Sequence, residues 1–176
     1  MVEGDLLDED TDCIVNAANG HLAHGGGVAA EIAKAAGPSM VEEGDKLVRE
    51  NGPIATGDSV VTTAGKLPFN GVIHAVGPRM GEGDEEDKLI QALCSSFHRA
   101  HEHGWRSVSF PAVSSGIFGV PQHICAMAYL RAVSDFWSKH PQSSVTRIRI
   151  VLMKGPMLEE MMAQLKHDEN STDQEP

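Results

Sequence analysis

None of the apolar runs in this chain approaches the ~20 residues that a membrane-crossing helix needs, so no membrane partner is expected. The start, Met1-Val2-Glu3-Gly4-Asp5, has neither a basic region nor an apolar stretch and does not read as a secretory signal. Cysteine is scarce. Cys13, Cys94 and Cys125 are odd in number and far apart, which excludes a disulfide frame or a zinc knuckle. They read as reduced thiols of an intracellular protein, in cytoplasm or nucleus. Basic residues are also few: 14 Lys and Arg stand against 25 Asp and Glu, for a net charge of −11. That argues against docking on a nucleic-acid backbone, which needs a basic face. It does not exclude a small anionic ligand, because backbone N–H groups can hold a phosphate while the surface stays acidic.

What is present suits one folded domain. With 176 residues, 41% of them hydrophobic, a single domain with its own core is the default. Elements alternate along the chain. Cys13-Ile14-Val15 is a buried strand that breaks at Asn16. Val28 to Ala36 is a helix closed by Gly37, and Pro38 to Glu50 a second, stopped by Asn51-Gly52-Pro53. Ser59–Thr63 and Val72–Val76 read as strands. Acidic residues 84–87 open a helix that runs to Gly104, with Leu89, Leu93 and Phe97 on one face. Val108–Ala112 is a strand. Pro121 opens a long helix with Ile124, Ala128, Val133, Phe136 and Trp137 inward. Val145–Met153 alternates as a strand, and Pro156–Leu165 is a last helix. This order predicts an α/β fold, a three-layer α/β/α sandwich around a mixed, mostly parallel sheet. The domain is expected over residues 1–166, with a polar, disordered tail over 167–176.

Two loops carry the chemistry. Each leaves the carboxyl end of a predicted strand and enters a helix, which is where open α/β sheets bind ligands. Gly25-Gly26-Gly27 offers successive N–H groups with no Cβ in the way, followed by the positive end of a helix. Ser114-Ser115-Gly116 offers the same from the other side, with hydroxyls added. Either loop alone could be a plain turn; two at equivalent strand ends point to a diphosphate site. Asn16 and Asn19 flank the tip of the first strand, where a carboxamide serves either a turn or ribose hydroxyls. His74 lies inside a strand and reads as a core polar residue. His98, His101 and His103 read as a solvated helix end, and no metal is expected.

Five segments, Gly4-Asp5-Leu6, Ile14 to Asn19, His24 to Ala29, Ile73 to Pro78 and Pro111 to Gly119, together resemble the macrodomain family in order and spacing. The resemblance spans about Gly4 to Leu165, and is nearest in look to macrodomains of large ADP-ribosyltransferases and of viruses. It implies ADP-ribose as the ligand and no further cofactor. Free ADP-ribose and ADP-ribosylated proteins are the implied partners, and a monomer is expected. Asp5 would accept from the adenine amino group, with the Leu6 backbone beside it, although a turn cap is the alternative for Asp5. Gly25, Gly26, Gly27 and Val28 would line the diphosphate and distal ribose. Ser114, Ser115, Gly116, Ile117, Phe118 and Gly119 would close over them, and Asn16 and Asn19 would serve the riboses.

The chain also departs from the family pattern. Family members have a full strand ahead of the Gly-Asp motif, whereas Met1-Val2-Glu3 alone precede it here. An open sheet edge, as in a piece of a longer chain, is therefore expected. Met153 stands where the family often has an aromatic residue near the adenine, and its thioether could pack on the ring. One branch that removes ADP-ribose from proteins has a carboxylate after the glycines. Ala29 holds that place here, and Glu31 is out of register. The resemblance leaves two functions open: hydrolysis of ADP-ribose esters on Asp or Glu, and non-catalytic reading of ADP-ribose marks. For hydrolysis the candidate set is Asn19, His24, Gly26 and Phe118, holding a water near the anomeric carbon, with His24 polarising the site or serving only as a loop histidine.

Overall fold

A computed structural model describes residues 1–172 of the chain, and its side chains as far as His167. The elements are β1 (Val2–Glu3), β2 (Cys13–Ala17), α1 (Gly27–Ala36), α2 (Pro38–Asn51), β3 (Ser59–Thr62), β4 (Gly71–Ala75), α3 (Glu85–Glu102), β5 (Ser107–Phe110), α4 (Gln122–Lys139), β6 (Arg147–Leu152) and α5 (Pro156–Thr172). A short 3₁₀ turn, Leu6–Asp8, follows β1. The strands form one sheet in the order β1-β6-β5-β2-β4-β3. β3 runs antiparallel to β4 and every other pairing is parallel, so the sheet is mixed as expected.

The strand period sorts side chains between two cores. Cys13, Val15, Ile73, Ala75, Ile150 and Leu152 face one side, against Leu93 and Phe97 of α3 and Tyr129 and Phe136 of α4. Ile14, Val72 and Val151 face the other, against Ile32 and Ala36 of α1 and Met40 of α2. Helices thus cover both faces, and the three-layer sandwich stands. Gly37 ends α1 in the left-handed region (φ 79°), its N–H on the Ala33 carbonyl, and leads directly into Pro38 at the start of α2.

Several boundaries move. β2 continues through Asn16 to Ala17 instead of breaking at Asn16, because each residue of 13–17 pairs in register with 71–75 of β4. The sheet edge is covered in part: Val2 and Glu3 pair with Val151 and Leu152, and the Gly4 N–H donates to the Leu152 carbonyl. Helix α5 runs past Leu165 to Thr172, over residues that include neither glycine nor proline to stop it. The rest of the predicted tail, 173–176, lies outside the described residues. On α4, Cys125, Tyr129 and Ala132 are buried with Ala128 and Phe136, whereas Trp137 turns outward and is 40% exposed.

Candidate functional site

A cleft opens at the carboxyl ends of the parallel strands, where two chambers meet. The inner chamber, about 350 Å³, is lined by Ala17, Ala18 and Asn19 beyond β2, by Gly25–Ala29, and by Ser114, Ile117 and Phe118 of the second loop. The outer chamber, about 750 Å³, is lined by Asp5 and Leu6, by Ser115 and Gln122, and by Met153 beyond β6. Gly27, Val28, Ala112 and Gly116 border both, so the waist lies between the two glycine loops. The loops touch there: a Cβ on Gly26 would sit 3.2 Å from the Ile117 Cδ1, and one on Gly27 3.6 Å from it.

The first loop presents donors. α1 begins at Gly27 with Gly26 as its N-cap; no side chain caps it, and its first turn holds no acidic residue. The amides of the first turn therefore have no side-chain acceptor, and the positive end of the helix dipole faces the waist. Glycine is required at 27, where φ is +59° and a Cβ would strain the backbone.

Packing from beneath holds the second loop. The Tyr129 hydroxyl, fully buried, donates to the Pro111 carbonyl and accepts from the Val113 N–H at 3.3 Å. Burial raises the Tyr129 pKa well above the ordinary phenol value, so the proton that makes the first bond stays in place. Val120 N donates to Ser114 O at 3.0 Å, and Gly119 N to Gly116 O at 3.0 Å, closing the turn. Ser114 adopts a left-handed φ of 67°. Its hydroxyl is buried without a hydrogen-bond partner, beside the inner chamber it lines. A Cβ on Gly77 would lie 2.2 Å from that hydroxyl, so β4 must be followed by glycine at this point.

Asn19 sits half-buried at the chamber wall. Its Oδ1 accepts from the His21 and Ala23 N–H groups, both at 3.1 Å, and its Nδ2 donates to Ala23 O at 2.7 Å. It therefore staples the loop ahead of the glycines, and the second Nδ2 hydrogen remains for a ligand hydroxyl. Asp5 is the turn cap that was its alternative reading, and it also borders the cleft. Its Oδ1 accepts from Leu7 N at 2.9 Å and caps the 3₁₀ turn, while the residue lines the outer chamber. Glu9 anchors that turn to the sheet, accepting from Arg149 and from the Ser109 hydroxyl, and the Arg149 bond holds its carboxyl below the usual range. Met153 is 81% exposed on the outer rim, and Gly119 shapes the second loop in the left-handed region (φ 70°) without lining either chamber.

Besides Gly119, two candidates do not reach the cleft. Asn16 is fully buried, because β2 continues through it and turns its side chain beneath the loop. Its Nδ2 donates to His74 Nδ1 at 3.0 Å, and His74 Nε2 donates in turn to the Thr62 hydroxyl at 2.7 Å. His74 is thus the satisfied core histidine expected of it, and its partner Asn16 belongs to the same core network. His24 turns inward too, its ring 5.8 Å from that of His74 and its Nε2 buried without a partner. Burial lowers its pKa and the Asp45 carboxylate pulls it partly back. It lines neither chamber, so the polarising role considered for it has no geometry behind it.

Arg79, which sequence reasoning missed, enters the inner chamber wall with its guanidinium carbon 4.3 Å from the Phe118 ring centroid. The signal was its place directly after the Ile73–Pro78 segment, beyond the end of β4. Among the described residues, no carboxylate and no histidine lines the inner chamber. Among the described residues, no group of three His, Cys, Asp or Glu is arranged to hold a metal.

Comparison with known proteins agrees with this geometry. The Macro domain family model matches residues 15–129. A Thermotoga maritima protein of undescribed function is 45% identical over 152 residues, 85% of this chain, and the match spans 25% of that longer relative. An O-acetyl-ADP-ribose deacetylase of Escherichia fergusonii is 42% identical over 142 residues, covering 80% of each chain. Among solved structures, the Oceanobacillus iheyensis macrodomain with ADP superposes with a TM-score of 0.88 at 30% identity, over 96% of this chain and 90% of that one. A Trypanosoma brucei macrodomain in complex with ADP-ribose gives 0.83 at 27% identity, over 93% and 67%. With strand ends, glycine loops and family match in agreement, the chain belongs to the macrodomain family.

Proposed function

We propose that this cleft binds ADP-ribose and hydrolyses its ester to acidic side chains of proteins. The observation that carries the reading is the waist: Gly27 and Val28 face Gly116 across the one passage between two chambers. A diphosphate gripped there by main-chain amides puts adenosine in the outer chamber, against Asp5 and Met153, and the distal ribose in the inner one, against Asn19 and Phe118. The unpartnered Ser114 hydroxyl supplies a further donor on the inner side. The deacetylase name of the Escherichia fergusonii relative and the ADP-ribose bound to the Trypanosoma brucei structure support the reading.

The chemistry rests on positioning. With no carboxylate or histidine among the described residues at the inner chamber, none of them serves there as general base. Asn19 fixes the ribose, Phe118 and Ile117 exclude bulk water, and a water near the anomeric carbon is oriented by the phosphate of the ligand itself. Holding the reactants in this way can supply several kcal/mol, on the order of 7 or more in favourable cases. The same absence of a base favours one second reading, a module that binds ADP-ribosylated proteins without cleaving them.

The deciding experiment incubates the domain with a protein ADP-ribosylated on glutamate and follows loss of label, with calorimetry on free ADP-ribose in parallel. Release by the wild type, slowed at least tenfold in Asn19→Ala, is expected. Binding with no release ends the hydrolase reading and leaves the reader.

A further inference from the structure

A third cavity, about 570 Å³, continues from the inner chamber on the side away from the adenosine. Asn19, Ala23, Arg79 and Phe118 border both spaces, so whatever is attached to the distal ribose leaves between Asn19 and Ala23 on one side and Arg79 and Phe118 on the other. Beyond this gate the groove is walled by Ile54 and Thr56 and by Glu82, whose carboxylate accepts from the Thr56 hydroxyl at 3.4 Å. An acetyl-sized group needs only a small part of that space.

Arg79 is exposed, and the backbone that follows it is held. The Met80 N–H donates to Phe118 O at 2.9 Å, which ties its loop to the second glycine loop. Further along, Glu85 Oε1 accepts from Gly81 N at 2.7 Å and Gly83 N at 3.2 Å, and Lys88 Nζ donates to Glu82 O at 2.8 Å. The guanidinium lies over Phe118 and forms no ion pair with any described carboxylate, although the chain carries a net charge of −11. Stacking occupies its face and leaves the in-plane N–H fork free, which matches the two oxygens of a carboxylate. It is the one Lys or Arg side chain lining either the inner chamber or the groove.

Resting on the ester-hydrolase reading above, we propose that this groove holds the polypeptide segment that carries the ADP-ribose, and that Arg79 at its gate receives the acidic side chain through which the two are joined. Water oxygen bonds to the anomeric carbon. The bond from that carbon to the acyl oxygen breaks, and its electron pair stays on the acyl oxygen as the carboxylate of the acceptor. The water proton passes to solvent. The fork of Arg79 meets the negative charge as it forms, which favours a carboxylate leaving group over the alkoxide that a serine acceptor would release.

The test uses Thr56→Trp and Glu82→Trp, which fill the groove beyond the gate, together with Arg79→Ala and Arg79→Lys. Substrates are a peptide ADP-ribosylated on glutamate and free ADP-ribose. Both tryptophan variants should bind free ADP-ribose as the wild type does, which also reports that they fold. They should lose at least tenfold in kcat/KM on the modified peptide. Arg79→Ala should lose about tenfold in kcat on the glutamate-linked peptide, with part of the loss restored in Arg79→Lys. Tryptophan variants that process the peptide at the wild-type rate, or that lose free ADP-ribose, overturn the groove assignment. An unchanged kcat in Arg79→Ala overturns the role of the arginine. If the wild type cleaves nothing, the hydrolase reading fails by itself. The groove is then judged by affinity: the wild type must hold the modified peptide at least tenfold tighter than Thr56→Trp does, and equal affinities reject it.

Discussion

Asn16 and Asn19 are three residues apart and of one chemical type, yet the strand period separates their work. Asn16 is the register partner of His74 on β4, and its Nδ2 is spent on that histidine while its Oδ1 stays buried without a partner. Asn19 lies past the end of β2, where the chain is free to turn its side chain toward the cleft. Asn16→Ala should therefore cost about 1–3 kcal/mol of stability, since it removes the donor to a buried histidine, while ADP-ribose affinity by calorimetry stays at the wild-type value. An affinity loss in Asn16→Ala as large as that in Asn19→Ala would return Asn16 to the site. The same network sets a pH dependence. Burial, with a contribution from His24, pushes the His74 pKa down to about 3, below the ordinary 6.5. Between those values the unfolded chain binds a proton that the native state refuses. The stability from neutral His74 is complete above pH 6.5 and is lost as pH falls toward 3, at up to about 1.4 kcal/mol per pH unit. His24, also lowered, acts in the same direction. Denaturant midpoints between pH 7 and 4.5 should fall steeply in the wild type and less steeply in His74→Gln.

At the scale of elements, the second glycine loop stores cost for the sake of the site. Ser114 holds a left-handed φ of 67° and buries an unpartnered hydroxyl, and such features cost of order 1–3 kcal/mol each. Glycine takes this φ freely, although its unfolded chain has more freedom to lose, by about 0.5–1 kcal/mol. Ser114→Gly should stabilise the ligand-free protein by about 1 kcal/mol in denaturant unfolding, and weaken ADP-ribose binding. If it destabilises, the hydroxyl has a structural partner and is no ligand donor. The loops were legible in sequence because two glycine runs stand at equivalent strand ends, and the layered α/β class followed from the alternation of the elements, whereas the order of the strands in the sheet did not. The end of β2 was not: asparagine disfavours strands in general, but five in-register pairs with β4 outweigh that preference here. His24 could not be placed from sequence because chain order sets it beside the glycines, while packing on His74 draws it inward. Arg79 was missed because its meaning lies in Phe118, thirty-nine positions away, over which it stacks.

The proposed function sets an anion on a molecule that carries a net charge of −11. These are compatible only if the diphosphate is held at short range by fixed dipoles and not by a basic field. The first turn of α1 and the second glycine loop provide such dipoles at the waist, and Arg79 lies on the distal side of the inner chamber. Ionic strength separates the two cases. A site built on several lysines and arginines loses affinity steeply with salt, as phosphate-binding surfaces do. Main-chain amides in contact with phosphate lie well inside the Debye length, about 10 Å at 0.1 M salt, and are screened little. The acidic surface repels ADP-ribose from farther out, and that repulsion is what added salt removes. Affinity for ADP-ribose measured from 50 to 500 mM sodium chloride should therefore hold within about threefold, with any drift upward, because the slope counts charged side chains on the phosphate. A tenfold loss over that range would mean that basic side chains carry the diphosphate, and the waist between Gly27 and Gly116 would no longer account for binding.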